Sequence, residues 1–108
     1  MRRGELWTAS GGRHYAGKPR PVLILQDDRF DATDSVTVCP LTSDPTDIPL
    51  LRIALEPGEA TGLVQPSRIM VDKVTTMPRA KLGHSVGVVS DADLLALSRA
   101  LVVFLGLG

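Results

Sequence analysis

The strongest constraint on the fold is a series of short apolar runs that proline, glycine and aspartate interrupt every few residues. Runs of this length favour strands, because they are too short for stable helices and turn-forming residues flank them. They predict strands over 5–9, 22–26, 36–41, 50–55, 61–64, 69–75 and 82–89, with a break at 77–78 and a single helical turn at 79–81. Five to seven short strands at this spacing predict a small, strongly bent antiparallel sheet or partial barrel.

The last segment of the chain has a helical pattern instead. Ser90 can cap a helix, and Asp93 follows three residues later, as in a capping box. Apolar residues then recur at helical spacing at positions 94, 97, 101 and 104. We expect a helix from about Asp91 to about Leu105 that ends at Gly106, so the fold class is mainly β with a C-terminal helix.

The length of 108 residues predicts one domain spanning residues 1–108. No apolar run approaches the roughly 20 residues that a bilayer crossing needs, and no apolar secretory leader follows the basic start. Cys39 is the only cysteine and cannot form an internal disulfide. We therefore expect a cytoplasmic protein in which Cys39 is a core residue.

The net charge of zero hides an uneven distribution. The first 20 residues carry five basic side chains against Glu5, a net charge of +4, and the remainder carries −4. Such a zone can attract a short RNA without a basic isoelectric point, although a solvated surface is the alternative interpretation. The four aromatic residues are too few for an RNA-binding sheet that works by base stacking.

Two polar side chains stand at the ends of strand-like runs. Arg20 precedes the run 22–25, and Thr42 follows the run 36–41. Arginine is a permanent planar cation that matches a phosphate, and a threonine hydroxyl can donate to a phosphate oxygen. If the two strands pair, these side chains lie close together, which suggests phosphodiester chemistry without a metal. The alternatives are a solvated loop arginine and a threonine bonded to its own backbone.

The chain also carries, in order, RRGELW at 2–7, RPVL at 20–23, PLTS at 40–43 and ALVVFLGL at 100–107. This ordered set resembles the MazF/PemK family of toxins, small ribonucleases of bacterial toxin–antitoxin pairs. The resemblance implies an SH3-like barrel core with a C-terminal helix, a homodimer, and a cognate antitoxin of MazE type. It also implies sequence-selective, metal-independent cleavage of single-stranded messenger, ribosomal or transfer RNA. The substrate 2′-OH would attack, leaving 2′,3′-cyclic phosphate and 5′-OH ends and inhibiting translation and growth.

The same resemblance implies roles for individual residues. Arg20 would stabilise the negative charge of the pentacoordinate phosphorane, and Thr42 would donate to a non-bridging oxygen. Ser43 would assist at the RNA. Lys73 follows Asp72 in a segment that faces the RNA groove or the dimer in the family, and it replaces the usual glutamine there.

The loop before Arg20 departs from the family pattern. Many members carry an acidic residue about five positions before the arginine, where this chain has Tyr15, and residues 10–19 contain no carboxylate. His14 is the candidate replacement as general base, since its unperturbed pKa is near about 6.5; an exposed loop histidine is the alternative. Arg13 and Lys18 are expected to contact phosphates. The aspartates at 27, 28 and 31 have no partner at ligand spacing, so we expect neither a metal site nor a cofactor.

Two other functions remain open at this point. A gyrase-poisoning toxin like CcdB shares this fold without being an enzyme. Such toxins end in Trp-Gly-Ile, whereas this chain ends in Gly106-Leu107-Gly108. A catalytically inactive RNA-binding module of the same fold is the other alternative, because the loop lacks the family's carboxylate.

Overall fold

The structure is a computed structural model, and it describes residues 1–10 and 20–108. Within these residues the chain forms seven strands and one helix. The strands are β1 (Glu5–Ala9), β2 (Arg20–Ile24), β3 (Ser35–Thr42), β4 (Arg52–Leu55), β5 (Ser67–Met70), β6 (Thr75–Pro78) and β7 (Leu82–Val88), followed by helix α1 (Asp91–Leu105). Short 3₁₀ turns lie at Asp28–Phe30, Val71–Lys73 and Arg79–Lys81.

The strands form one antiparallel sheet in the order β4-β5-β3-β2-β1-β7. Strand β3 is eight residues long and has two partners along the same edge. Its first half pairs with β6, and its last two residues pair with β5. The sheet therefore changes partner at the middle of β3. This architecture confirms the predicted antiparallel sheet with a C-terminal helix.

The sheet buries apolar side chains on both faces. One cluster lies between the sheet and α1 and includes Leu6, Leu23, Cys39 and the helix residues Leu97 and Leu101. The second lies on the opposite face and is formed by Ala9, Val22, Ile24, Val36, Val38 and Leu82. The alternation of neighbouring residues between the two clusters is the two-residue period of a strand. Burial raises the pKa of the Cys39 thiol to about 12, so Cys39 is an inert core residue, as predicted.

Helix α1 has the predicted bounds because both of its ends are capped. The Ser90 Oγ accepts a hydrogen bond from the Asp93 amide at 3.1 Å. At the other end Gly106 has a φ of 70°, the left-handed conformation that glycine adopts readily, and its amide donates to the Val103 carbonyl. Of the helices in residues 1–10 and 20–108, none has the length and apolar character that a bilayer crossing needs.

Two strand predictions were wrong. Residues 61–64 form no strand, because Gly62 turns the chain with a φ of 70° and the neighbouring Ala60 carbonyl accepts a hydrogen bond from the Val88 amide. The single strand predicted over 69–75 is two strands separated by a 3₁₀ turn. In that turn the buried Val71 donates its amide to the Leu51 carbonyl at 3.0 Å, which ties the turn to the residue before β4.

The predicted break at residues 77–78 was also wrong, since both residues belong to β6. Pro78 is accommodated because the next residue supplies the hydrogen bond at this end of the strand: the Arg79 amide donates to the Asp34 carbonyl at 3.0 Å, and the Ser35–Pro78 pair needs no donor from Pro78. The helical turn at Arg79–Lys81 was predicted correctly.

Candidate active site

Strand pairing brings Arg20 and Thr42 together. Strands β2 and β3 pair in the register Val22↔Pro40, Leu23↔Cys39 and Ile24↔Val38. The same register, continued by two residues, sets position 20 opposite position 42. Both side chains line one small concavity, together with Ser43, Gln65 and Ser67. The sequence prediction that Arg20 and Thr42 lie close together is therefore met by the geometry.

Arg20 is the first residue of β2, and its side chain is exposed. Pro19 and Pro21 flank Arg20 in the sequence. A proline ring restricts its own φ and the backbone angles of the residue before it, so Pro21 restricts Arg20 itself and Pro19 restricts the backbone that precedes Arg20. None of the described carboxylates lies within ion-pair distance of the Arg20 guanidinium, and residues 11–19 contain no carboxylate. The positive charge of Arg20 is therefore available to an external anion.

Thr42 is held by the loop that follows β3. Its Oγ1 accepts a hydrogen bond from the Asp44 amide at 3.1 Å. The hydroxyl oxygen thus has an internal donor, and the hydroxyl proton can be donated outward, to an oxygen in the concavity. The Asp44 carboxylate in turn accepts from the Thr46 amide at 2.9 Å, and this hydrogen bond lowers the pKa of Asp44. Asp44 stays ionised and helps to keep the loop in the conformation that orients Thr42.

A further arginine lies at this site and was missed by the sequence reasoning. Arg68 on β5 is directly opposite Thr42, and Ala54 on β4 is opposite Arg68. On the other side Ala9 is opposite Arg20. Residues opposite each other on neighbouring strands point to the same face of a sheet. We refer to Ala9, Arg20, Thr42, Arg68 and Ala54 as the cross-strand row.

The sequence did carry a signal for Arg68. The segment Ser67-Arg68-Ile69-Met70 follows Pro66, and Ile69 is fully buried. Strand alternation therefore sends Arg68 to the face opposite the helix-side core, where it joins Thr42. The predicted strand began at Ile69, so it did not include Arg68.

The other predicted site residues fall in three groups. Ser43 lines the concavity beside Thr42. Lys73 does not line it; Lys73 is exposed on the 3₁₀ turn after β5, and its Nζ lies 4.0 Å from the Asp72 carboxylate. Arg13, His14 and Lys18 lie outside the described residues, so their roles stay predictions.

The idea of one basic N-terminal zone needs correction. Arg2 pairs with Asp28 at 3.1 Å, and Arg3 donates to the Leu25 carbonyl at 2.9 Å and to the Ser98 Oγ at 2.8 Å. These arginines lie beside the C-terminal end of β2, whereas Arg20 begins that strand. Arg2 and Arg3 therefore tie the start of the chain to the sheet and α1, and they do not extend the charge of Arg20.

The described residues contain no group of three or more histidine, cysteine or acidic side chains placed to hold a metal ion. The Asp27 carboxylate accepts from the Arg29 amide at 2.9 Å, which lowers the pKa of Asp27. The Asp28 carboxylate accepts from the Arg3 amide at 2.7 Å. Asp27 thus caps the turn after β2, and Asp28 connects that turn to the start of the chain.

Comparison with known proteins identifies the family. A family model described as PemK-like, MazF-like toxin of type II toxin-antitoxin system matches residues 2–105. The chain belongs to this family. The family assignment made from the four sequence segments is therefore confirmed, and so is the toxin–antitoxin class.

Individual members of the PemK/MazF family are similar over the whole chain. A probable endoribonuclease MazF of Mycolicibacterium smegmatis is 59% identical over 107 residues, which cover 99% of this chain and 98% of that protein. Endoribonuclease MazF9 of Mycobacterium tuberculosis is 30% identical over 118 residues, with 99% and 98% covered. A solved structure of a mycobacterial endoribonuclease in complex with its cognate antitoxin is 26% identical, with a TM-score of 0.81 and 100% and 97% covered.

Proposed function

We propose that this chain cleaves single-stranded RNA at selected sequences, by attack of a substrate 2′-OH on the adjacent phosphate. Its membership of the MazF family and its 59% identity to a probable endoribonuclease support RNA cleavage as the activity, over a gyrase-poisoning or an inactive RNA-binding protein. The products would carry 2′,3′-cyclic phosphate and 5′-OH ends. The observation that carries the proposal is the placement of Arg20, without a carboxylate partner, beside the hydroxyl of Thr42.

The two side chains complement the charge that develops during this reaction. Attack by the 2′-oxygen gives a pentacoordinate phosphorane with additional negative charge on its non-bridging oxygens. The bond between phosphorus and the 5′-oxygen then breaks, and the departing 5′-oxygen takes up a proton from water or from the protonated base to become the 5′-OH. The Arg20 guanidinium can donate two parallel hydrogen bonds to the non-bridging oxygens, and the Thr42 hydroxyl can donate one more. Because both groups are held on strand ends, they need little reorganisation as the charge forms. These residues supply charge stabilisation from side chains alone, which is the basis for proposing activity without a metal.

Proton transfer needs a further group. A base must accept the 2′-OH proton, and we assign this role to His14, whose neutral imidazole is available near neutral pH. Asp44 is a poor alternative, because the hydrogen bond from the Thr46 amide lowers the pKa of its carboxylate. Because the unperturbed pKa of histidine is near about 6.5, a histidine that acts as base predicts a cleavage rate that falls as the pH drops below that value.

The RNA would cross the cross-strand row, and Arg13 and Lys18 precede Arg20 along the chain. We propose that these two residues supply the phosphate contacts expected of the N-terminal region, since Arg2 and Arg3 have internal partners. Replacing both with serine should weaken RNA binding and flatten its salt dependence. The matched control is Arg2→Ser, which removes a basic residue that pairs with Asp28. Equal effects of the control and the double variant would rule out a special role for the loop.

We further propose a homodimer that a MazE-type antitoxin neutralises in the cytoplasm. The apolar side chains Val102, Val103, Phe104 and Leu105 on α1 are exposed in the single chain, and an exposed group of neighbouring apolar side chains is typical of a protein–protein contact. Sedimentation at micromolar concentration should give twice the monomer mass. A purely monomeric mass would contradict the dimer.

The decisive experiment combines a variant with a modified substrate, in buffer that contains EDTA. Arg20→Ala should lower the cleavage rate on the order of 10²-fold or more, and Arg20→Lys should recover only part of it because lysine lacks the planar fork. Arg29→Ala is the matched control, since Arg29 is an exposed arginine beyond the far end of β2. An RNA with deoxyribose only at the nucleotide before the cut should bind without being cleaved. Cleavage of that RNA, or full activity of folded Arg20→Ala, would overturn the mechanism.

A further inference from the structure

Arg68 has the position of a second phosphate-binding residue. In the cross-strand row Arg68 and Arg20 lie on opposite sides of Thr42. Their backbones are two strand spacings apart, which is about 10 Å across the sheet. The concavity that Arg68 lines adjoins the one that Arg20 lines, since Ser43 and Ser67 belong to both. A chain that passes over Thr42 can therefore contact both arginines.

Arg68 differs from Arg52, which is the other arginine of the β4–β5 pair. The Arg52 side chain is only 9% exposed, and its Nη1 donates to the Asp72 carboxylate at 2.6 Å and to the Leu51 carbonyl at 2.8 Å. Arg52 is therefore committed to the fold. The Arg68 side chain is 28% exposed, and its Nη1 lies 3.2 Å from a carboxylate oxygen of Asp47, which is itself 66% exposed.

An ion pair with so much solvent access is weak and can be exchanged. A guanidinium has five N–H donors, and the contact with Asp47 uses one of them. A phosphate offers the same acceptor chemistry as a carboxylate, with more oxygens and a geometry that matches the planar fork. The Asp47 carboxylate thus occupies a position that suits a phosphate.

We propose that Arg68 binds a phosphate of the RNA next to the one that is cleaved, and that Asp47 is the resident carboxylate that this phosphate displaces. The inference rests on the proposed function for the identity of the ligand as RNA. In the free protein the Arg68–Asp47 pair connects β5 to the loop 43–49, and in the complex the RNA takes the place of Asp47. Arg68 is then a substrate-binding residue, whereas Arg20 and Thr42 contact the reacting phosphate.

The proposal predicts that two single variants change RNA affinity in opposite directions, which a purely structural role does not predict. If the pair only holds the loop, breaking it from either side weakens RNA binding. If RNA displaces Asp47, the two single variants have opposite effects. Arg68→Gln should raise the dissociation constant about 10-fold, as expected for losing a hydrogen-bonded charge, whereas Asp47→Asn should lower it by about 2- to 5-fold, because the competing ion pair is gone.

The experiment measures equilibrium binding of the RNA that carries deoxyribose at the nucleotide before the cut, over a range of salt concentrations. Arg68→Gln should also reduce the salt slope by about one phosphate contact. Asp47→Asn in the Arg68→Gln background should have almost no effect, because its benefit acts through Arg68. Asp27→Asn is the matched control for removing an exposed acid that pairs with an arginine elsewhere, and it corrects for the change in net charge.

In steady-state cleavage the same variants should change KM more than kcat, because Arg68 contacts a phosphate that does not react. Effects of the same sign for Arg68→Gln and Asp47→Asn would overturn the proposal, as would an equal gain from Asp47→Asn and Asp27→Asn. Failure of the proposed function gives a different result. In that case Arg20→Ala cleaves RNA at the native rate, while Arg68→Gln and Asp47→Asn still change RNA binding in opposite directions. Since Asp47 is exposed, Asp47→Asn keeps the test informative even if Arg68→Gln folds poorly.

Discussion

Replacement of Thr42 by valine tests the proposed chemistry with the least disturbance of the fold. Valine keeps the β-branched shape that suits a strand and removes only the hydroxyl. The Asp44 amide loses its acceptor, but Asp44 is exposed, so water can replace the Thr42 Oγ1. The free energy of unfolding should therefore fall by less than about 1 kcal/mol.

The effect on catalysis should be larger than the effect on stability. In the proposed mechanism the Thr42 hydroxyl donates to a phosphorane oxygen, and a hydrogen bond to a charged group contributes about 1.5–3 kcal/mol. Loss of that amount from the transition state lowers kcat about 10- to 100-fold. The KM should change little, because the bond strengthens when the charge develops. Arg20→Ala should cost more, since it removes a full positive charge.

The assay is cleavage of a fluorogenic RNA under single-turnover and steady-state conditions, together with thermal unfolding of each variant. Thr42→Ser is the matched control, because it restores the hydroxyl and loses only a methyl group. We expect Thr42→Ser to retain most of the activity. Two results would refute the reasoning: a kcat for Thr42→Val within twofold of the native value, or a Thr42→Ser variant as impaired as Thr42→Val.

Two further predictions concern stability. Partial burial acts to raise the pKa of Asp72, but the hydrogen bond from Arg52 and the positive charges of Arg52 and Lys73 together outweigh it and lower this pKa below its ordinary value of 3.8. Asp72→Asn should thus lower the free energy of unfolding by about 1–2 kcal/mol at neutral pH, and chemical denaturation should show the difference disappearing as the pH falls through the lowered pKa. Gly62→Ala should lower the free energy of unfolding by more than about 2 kcal/mol, because φ at Gly62 is 70° and a Cβ there would overlap the Val86 carbonyl. Gly58→Ala is the matched control: a Cβ there has open space, so its free energy of unfolding should hardly change in the same denaturation experiment.

The helix and the early strands could be predicted because local signals agree with the final contacts. Ser90 and Gly106 mark the ends of α1, and the apolar spacing between them matches the face that packs on the sheet. Strand β1 was predicted with its bounds as well. The division between β5 and β6 could not be predicted in this way. It depends on β3 changing partner and on the hydrogen bond from the Val71 amide to Leu51, contacts that no local pattern reports.

The candidate site shows the same limit. Arg20 and Thr42 were found because each stands beside a recognisable apolar run, and the family resemblance gave them a role. Arg68 was missed because its significance comes from lying opposite Thr42 in the sheet. The separation of Arg2 and Arg3 from the site was missed for the opposite reason, since charge counted along the chain ignores which end of β2 each residue reaches.

The partners of the arginines explain how a chain with zero net charge can still hold an anion. Six of the eight arginines in residues 1–10 and 20–108 have hydrogen-bonding or ion-pair partners within that part of the chain; Arg20 and Arg99 are the exceptions. Of these two, Arg20 lines the concavity with Thr42. Four of the six pair with carboxylates, namely Arg2, Arg29, Arg52 and Arg68, and such a cation must exchange its carboxylate to bind a phosphate. The side chain of Arg20 is open to an anion without that competition. Net charge is thus a poor guide here, because acidic residues neutralise these four arginines and leave Arg20 free of an internal carboxylate.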